Sequence, residues 1–284
     1  MKYLFIGNRR FVLEELLKCS DNVEVYVIDN THLCKEPLLK NIKHTILKSK
    51  ADVNNILKTK EYDVMISNGL PFILKPSELP AKTLVNIHPS FLPDLRGVDP
   101  VLGAILFKRD AGASCHLIDE GIDTGPLISQ VKIPFTLDLH ASMLYPLSFK
   151  AEKMCFHQAW ERNFQPLTTN PMNTDGTLYF TRSNDTRLLP LTGTDEEIIQ
   201  VVKAFDNVNQ GARFIINDTE WKCHDAWLSK NPFLLECIKT FKLNTIAMVF
   251  EDTLVIKRNG CALGLRHTNV YEPMSLVGEK IIGR

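Results

Sequence analysis

Tyr3-Leu4-Phe5-Ile6-Gly7, Phe11-Val12-Leu13-Glu14-Glu15-Leu16-Leu17-Lys18 and Val23-Glu24-Val25-Tyr26-Val27-Ile28 are the stretch that sets the fold class. The first and third runs are short, apolar and rich in β-branched and aromatic residues, so they read as strands. The middle run repeats its apolar residues at helical spacing. Gly7 ends the first strand, and Asp29-Asn30 turns the chain after the second. The same alternation continues downstream. Val53-Asn54-Asn55-Ile56-Leu57 reads as helix, 62–66 as a strand running into Ser67-Asn68-Gly69, and 83–87 as another strand. Strand–helix–strand order argues for an α/β fold with a parallel sheet covered on both faces. Ligand loops in such sheets lie beyond the carboxyl ends of the strands.

Further along, 98–108 reads as a helix after an Arg96-Gly97 turn, and 113–118 with Leu127–Ile133 as a strand pair. Residues 137–162 carry a long helical pattern. From 165 to 190 the chain turns polar, with Pro166, Pro171, Asn173, Gly176 and Pro190, which predicts a linker. Beyond it, 195–205 reads as a helix and Ala212–Ile216, 245–250, 254–257 and 262–265 as strands. The expected organisation is a larger domain with its linker over 1–184 and a smaller α+β or barrel-like module over 185–284.

Lys and Arg number 33 and Asp and Glu 33, a formal net charge of +0. A chain built to grip nucleic acid carries a basic excess, so no nucleic-acid partner is expected. The seven cysteines are odd in number and contain no CxxC, which reads as reduced thiols and no metal site. The apolar run at the N-terminus is too short for a signal peptide, and no segment reaches the roughly 18 residues a membrane span needs. A soluble, cytoplasmic protein is expected.

The chemistry concentrates in Asn86-Ile87-His88-Pro89-Ser90-Phe91-Leu92-Pro93, Arg96-Gly97 and Asp119-Glu120-Gly121-Ile122-Asp123-Thr124-Gly125. Asn86 and His88, two apart at a strand end, share one face. Asp123 follows thirty-five residues after His88, on a loop that Gly121 and Gly125 allow to approach closely. An amide can hold an oxyanion, an imidazole can move a proton and a carboxylate can orient that imidazole. These parts suit acyl transfer without a covalent enzyme intermediate. Pro89 and Pro93 fix φ on either side of Ser90-Phe91-Leu92 and stiffen the loop. Arg96 has two readings, a loop-locking ion pair or a substrate contact. The 67–74 segment mixes an apolar wall with free backbone amides that suit a flat heteroaromatic ring, and equally a plain hydrophobic turn.

Other candidates weigh less. Gly7-Asn8-Arg9-Arg10 lacks the spacing of a dinucleotide loop. Cys115-His116 reads as buried or paired rather than catalytic. His32, His44, His140, His157, His224 and His267 read as surface or structural, and Trp221 and Trp227 as core of the second module.

From residue 1 to about 162 the chain resembles the catalytic domain of 10-formyltetrahydrofolate-dependent formyltransferases. The match rests on Gly7, Asn68-Gly69-Leu70, the Asn86–Ser90 block, Leu92-Pro93, Arg96-Gly97 and Asp119 to Gly125. The resemblance implies a Rossmann-like fold and a catalytic set of Asn86, His88 and Asp123. It implies N10-formyltetrahydrofolate as co-substrate, with a pterin pocket from Asn68, Gly69, Leu70, Phe72, Ile73, Asp119, Gly121 and Ile122. Ser90, Arg96, Gly97 and Asp99 are the expected acceptor contacts.

Among such enzymes the Arg96-Gly97-Val98 loop is similar to those acting on nucleotide-linked amino sugars, which implies a role in surface-glycan synthesis. Methionyl-tRNA formyltransferase is the alternative, since those enzymes carry a C-terminal module. Yet residues 185–284 hold 12 Lys and Arg against 13 Asp and Glu, where a tRNA-gripping module is basic. A formyltetrahydrofolate hydrolase or a folate-binding protein is a third reading. The C-terminal module of such enzymes serves substrate binding or assembly, which leaves a homodimer open.

Overall fold

The computed structural model describes residues 1–207, 210–269 and 273–284. The chain divides into two compact units. The first holds Met1–Ala104, Arg109–Phe135 and Tyr145–Phe180, and the second holds Ile105–Lys108, Thr136–Leu144 and Thr181–Arg284.

In the first unit β1 (Tyr3–Gly7) leads to α1 (Arg10–Cys19), β2 (Val23–Ile28), β3 (His44–Leu47), α2 (Lys50–Thr59), β4 (Val64–Asn68) and β5 (Thr83–His88). Next come β6 (Ala111–Leu117) and β7 (Leu127–Ile133), with α3 (Pro100–Leu106) up to Ala104 and α4 (Ala141–Glu161) from Tyr145 onward. The sheet order is β3-β2-β1-β4-β5-β6-β7. The first five strands are parallel, whereas β6 and β7 join antiparallel. The fold is α/β and Rossmann-like.

Alternate residues of each strand feed two cores. Phe5, Val25, Val27, Ile66, Val85 and Ile87 pack with Val12, Leu13 and Leu16 of α1 and Ala151, Cys155 and Phe156 of α4. Leu4, Ile6, Tyr26, Ile28, Met65 and Leu84 pack with Val53 and Leu57 of α2. Burial on both faces explains why these strands are nearly continuous apolar runs in the sequence. Chain order reverses between β1 and β4, so their carboxyl ends frame the crevice where this kind of sheet binds ligands.

The second unit continues with α5 (Asp195–Ala204), β8 (Ala212–Ile216), β9 (Thr219–Ser229), α6 (Pro232–Cys237), β10 (Ile246–Phe250), β11 (Thr253–Lys257) and β12 (Ala262–His267). Its sheet is antiparallel, in the order β10-β11-β12-β9-β8. The C-terminal stretch bridges to both ends of it, Ile282 to Ile215 and Lys280 to Thr245, which gives the module a barrel-like closure. Thr194 caps α5 through a reciprocal pair with Glu197.

Several expectations need correction. The fourth strand begins at Val64, not at Tyr62, whose ring is buried with its hydroxyl on the Leu57 carbonyl at 3.3 Å. The third helix starts at Pro100, two residues later than its apolar pattern, because proline suits the first helical position. The 165–180 part of the expected linker is pinned to the first unit: Met172 N–H donates to the Thr124 carbonyl at 2.9 Å and Leu178 N–H to Asp94 at 3.0 Å. Trp221 is buried as expected, but Trp227 is 39% exposed and lies against Gly264, where a Cβ would sit 2.0 Å from its ring.

Candidate active site

β5 ends on Asn86 and His88, and the β6–β7 connection brings Asp123 to them. Gly125 makes that approach possible, since a Cβ there would sit 1.9 Å from the Leu117 carbonyl. Asp123 itself takes φ of 52°, a conformation that aspartate tolerates better than most residues. Its Oδ1 accepts from Asn86 Nδ2 at 3.1 Å, and its Oδ2 accepts from the Gly97 N–H at 3.1 Å. His88 Nδ1 stands 3.5 Å from Oδ2. Gly97 reaches this place with φ of 97°, backed by the Tyr179 ring.

His88 is buried, with Nε2 at 3.1 Å from the Leu95 carbonyl. A carbonyl only accepts, so Nε2 carries the hydrogen and Nδ1 is the nitrogen left to take a proton. Burial pushes the imidazole below its ordinary pKa, against the pull of Asp123. A neutral imidazole is the result. Burial also pushes Asp123 up, but His88, His116 and the Gly97 N–H outweigh it and hold the carboxyl well below the usual range. A proton arriving on Nδ1 would lie between the imidazole and a fixed negative charge.

His116 is expected to be buried or paired, and it is both, with Asn86 and Asp123 as its partners. Its Nε2 lies 3.3 Å from Asn86 Nδ2 and 3.4 Å from Asp123 Oδ1. Both N–H bonds of the Asn86 amide are therefore engaged, one by Asp123 and one by His116. The strand register carried the signal, because Asn86 pairs directly with His116 across β5 and β6.

The remaining candidates divide. Leu70 and Phe72, like Ile118, pack half-buried against the α2 core, and Ile73 is exposed. The Ser77 N–H donates to Glu120 at 2.8 Å, tying the connection after β4 to the Asp119–Asp123 loop. Asp119 Oδ1 accepts from the Gly121 N–H at 3.1 Å and from the Thr124 hydroxyl at 2.7 Å. Ile122 is half-buried on the same loop. Gly69, with φ of 74°, packs on Asn8.

Asn68 does not point where the sequence suggested. It pairs with Ile87, so its side chain faces α4, on the opposite side of the sheet from Asn86 and His88. There Nδ2 donates to the Ile87 carbonyl at 3.0 Å and to Glu152 at 3.2 Å. On the acceptor side, Ser90 is buried and its carbonyl accepts from the Ser114 hydroxyl at 2.8 Å. Arg96 is half-buried, its backbone bridged to Tyr179. Asp99 is buried just before α3, where its carbonyl accepts from Gly103 N–H at 3.0 Å. Among the described residues no cluster of three or more His, Cys, Asp or Glu could hold a metal ion, and no helix is long and apolar enough to cross a membrane.

A family model described as formyl transferase matches residues 29–159, a span that contains Asn86, His88, His116 and Asp123. The chain carries a formyl transferase domain. Curated relatives of this domain include the methionyl-tRNA formyltransferase of Herminiimonas arsenicoxydans, 27% identical over 229 residues, which are 78% of this chain and 69% of that protein. The methionyl-tRNA formyltransferase of Granulibacter bethesdensis is 31% identical over 109 residues, 37% of this chain and 35% of its own.

Among the solved structures that resemble most of this chain are two N-formyltransferases. One is a sugar 3N-formyl transferase in the presence of dTDP and 5-N-formyl-THF, at TM-score 0.71 and 23% identity over 95% of this chain and 99% of that one. The other is the N-formyltransferase from Helicobacter canadensis in complex with folinic acid and dTDP-3-aminofucose. It has a TM-score of 0.71 and 22% identity over 94% of this chain and 100% of that one.

Proposed function

We propose that this protein transfers the formyl group of N10-formyltetrahydrofolate to the amino group of a nucleotide-linked amino sugar, for a surface glycan. The observation that carries the acceptor is extent. The likeness to the sugar enzymes runs through 95% and 94% of this chain, whereas the two tRNA relatives match 78% and 37% of it. The near-neutral charge of residues 185–284 points the same way.

The chemistry follows from the hydrogen-bond roles. The acceptor amine attacks the formyl carbon, and His88 Nδ1 takes the proton shed by the new C–N bond. Asp123 stabilises the imidazolium. Asn86 turns the N–H now on His116 toward the developing oxyanion, a donor worth about 2.7–4 kcal/mol in comparable sites. The C–N10 bond then breaks, and the proton on His88 passes to N10. The pterin takes the wall of Asn68, Gly69, Leu70, Phe72 and Ile73 and the loop of Asp119, Gly121 and Ile122, with Asn68 acting through its backbone. The acceptor lies toward Ser90, Arg96, Gly97 and Asp99.

The test is incubation with 10-formyltetrahydrofolate and two acceptor pools, nucleotide-linked amino-dideoxy sugars and methionyl-tRNA, read by formyl mass gain. Gain on a sugar nucleotide supports the proposal. Gain on the tRNA alone would establish the second reading, which the names of the curated relatives favour. Loss of formyl from the folate with gain in neither pool would make the protein a hydrolase.

A further inference from the structure

A buried charge stands at the crevice between β1 and β4 with no part in the chemistry above. Glu152, on α4, is fully buried. One of its oxygens accepts from the Arg9 guanidinium and from Asn68 Nδ2. Arg9 follows β1 directly, and its side chain keeps 25% of its exposure. The Phe149 ring, one turn before Glu152, lies 5.9 Å from the guanidinium carbon, so the cation is held by a carboxylate and by a ring. Asn68 passes the grip on to the carbonyl of Ile87, the residue before His88.

We propose that Glu152 is a positioning residue for His88, holding the Arg9 cation at the end of β1 and, through Asn68, the end of β4 against the backbone that presents the imidazole. This rests on the reading of His88 as the base. Burying an ion pair seldom adds stability that a well-packed apolar pair would not match. Its use here is placement. The charged and titratable groups that act most directly on His88 are Asp123 from the β6–β7 loop, His116 from β6 and Arg9 after β1. Asp123 favours the imidazolium, and Arg9 and His116 oppose it. Glu152 faces Arg9 and Asn68, with Cys155 one turn on, and burial raises its carboxyl against the pull of Arg9. Its negative charge behind Arg9 offsets part of the field that Arg9 places on His88.

The experiment titrates the His88 imidazole by NMR in the unsubstituted protein, Glu152→Gln and Arg9→Met, with the signal assigned by its loss in His88→Asn. Glu152→Gln keeps the acceptor oxygen and removes the charge, so the midpoint should fall, by about half a pH unit or more. Arg9→Met removes the cation, so the midpoint should rise by a similar amount. Midpoints within about 0.2 unit of the unsubstituted protein in both variants would overturn the proposal. If either single variant fails to fold, the neutral pair Arg9→Met with Glu152→Leu keeps the volume, and its midpoint should also rise. An unmoved midpoint there overturns the proposal equally. The titration uses no substrate, so failure to formylate any sugar would count against the function reading alone.

Discussion

His88 shows how much one buried side chain is asked to do. Its Nε2 is committed to the Leu95 carbonyl, so Nδ1 beside Asp123 is its only basic atom. Replacing it by alanine should leave a folded protein and lower turnover by about 10²–10⁴-fold, read in the formyl-transfer assay. Near-normal turnover would remove the base assignment. Because burial lowers its pKa, the basic form persists to more acid pH than for an ordinary imidazole. The acid limb of kcat/KM should therefore have its midpoint below 6.5, and a midpoint above that would contradict the buried geometry. Gly97 makes a second test. A Cβ there would lie 2.7 Å from the Tyr179 ring, at φ of 97°, on the residue whose N–H holds Asp123. Gly97→Ala should cost about 1–3 kcal/mol of stability by urea unfolding, and lower turnover besides.

At the level of elements, α1 and α4, neighbours on one face of the sheet, are joined by Glu15. It accepts from Lys18 at 3.0 Å and pairs with Lys153 at 2.6 Å and His157 at 3.0 Å. Lys153 above all lowers its pKa, from 4.5 to about 2, against the effect of burial. A carboxyl depressed by folding stabilises the fold above its unfolded value, and that stability drains away as pH falls toward the folded one. Glu15→Gln should thus cost about 1–2 kcal/mol at pH 7, less than the full shift because His157 and Lys18 face water. The deficit should shrink between pH 4.5 and 2, as urea midpoints across pH would show. A deficit constant with pH would mean that the contacts, not the charge, matter.

The same elements show what was readable beforehand. β2, β7 and β8 announce their bounds because buried faces make them apolar. β9 is not legible, since Glu220, Lys222, His224 and Asp225 on a half-exposed ribbon look like loop. The Asn86, His88 and Asp123 constellation stood out because its loops are shaped by proline and glycine. Glu152 did not, because among Lys150 and Lys153 it reads as a solvated helix face, and only the packing of α4 turns it inward.

On the scale of the whole molecule, neither unit is a simple cut of the chain. Ile105–Lys108 and Thr136–Leu144 belong to the second unit, far in sequence from its remainder. Gln200 donates to the Ile105 carbonyl, and Asp206 accepts from the Ser142 N–H at 2.8 Å and binds His140 at 2.6 Å. A protein ending at residue 180 keeps those segments and loses their partners. It should melt below the full chain and be cut by protease within 136–144, where the full chain resists. Equal resistance would show that the second unit does not hold them.

The central place of β1 has a cost in time. Both of its edges are filled by later segments, β2 at 23–28 and β4 at 64–68. At about 5–20 residues per second, a ribosome needs about 3–12 s to supply the second neighbour. Over that interval Leu4, Phe5 and Ile6 form a sticky, half-paired ribbon, the kind of segment that chaperones bind. Leu4, Phe5 and Ile6 are thus made well before the second of the two strands that shelter them.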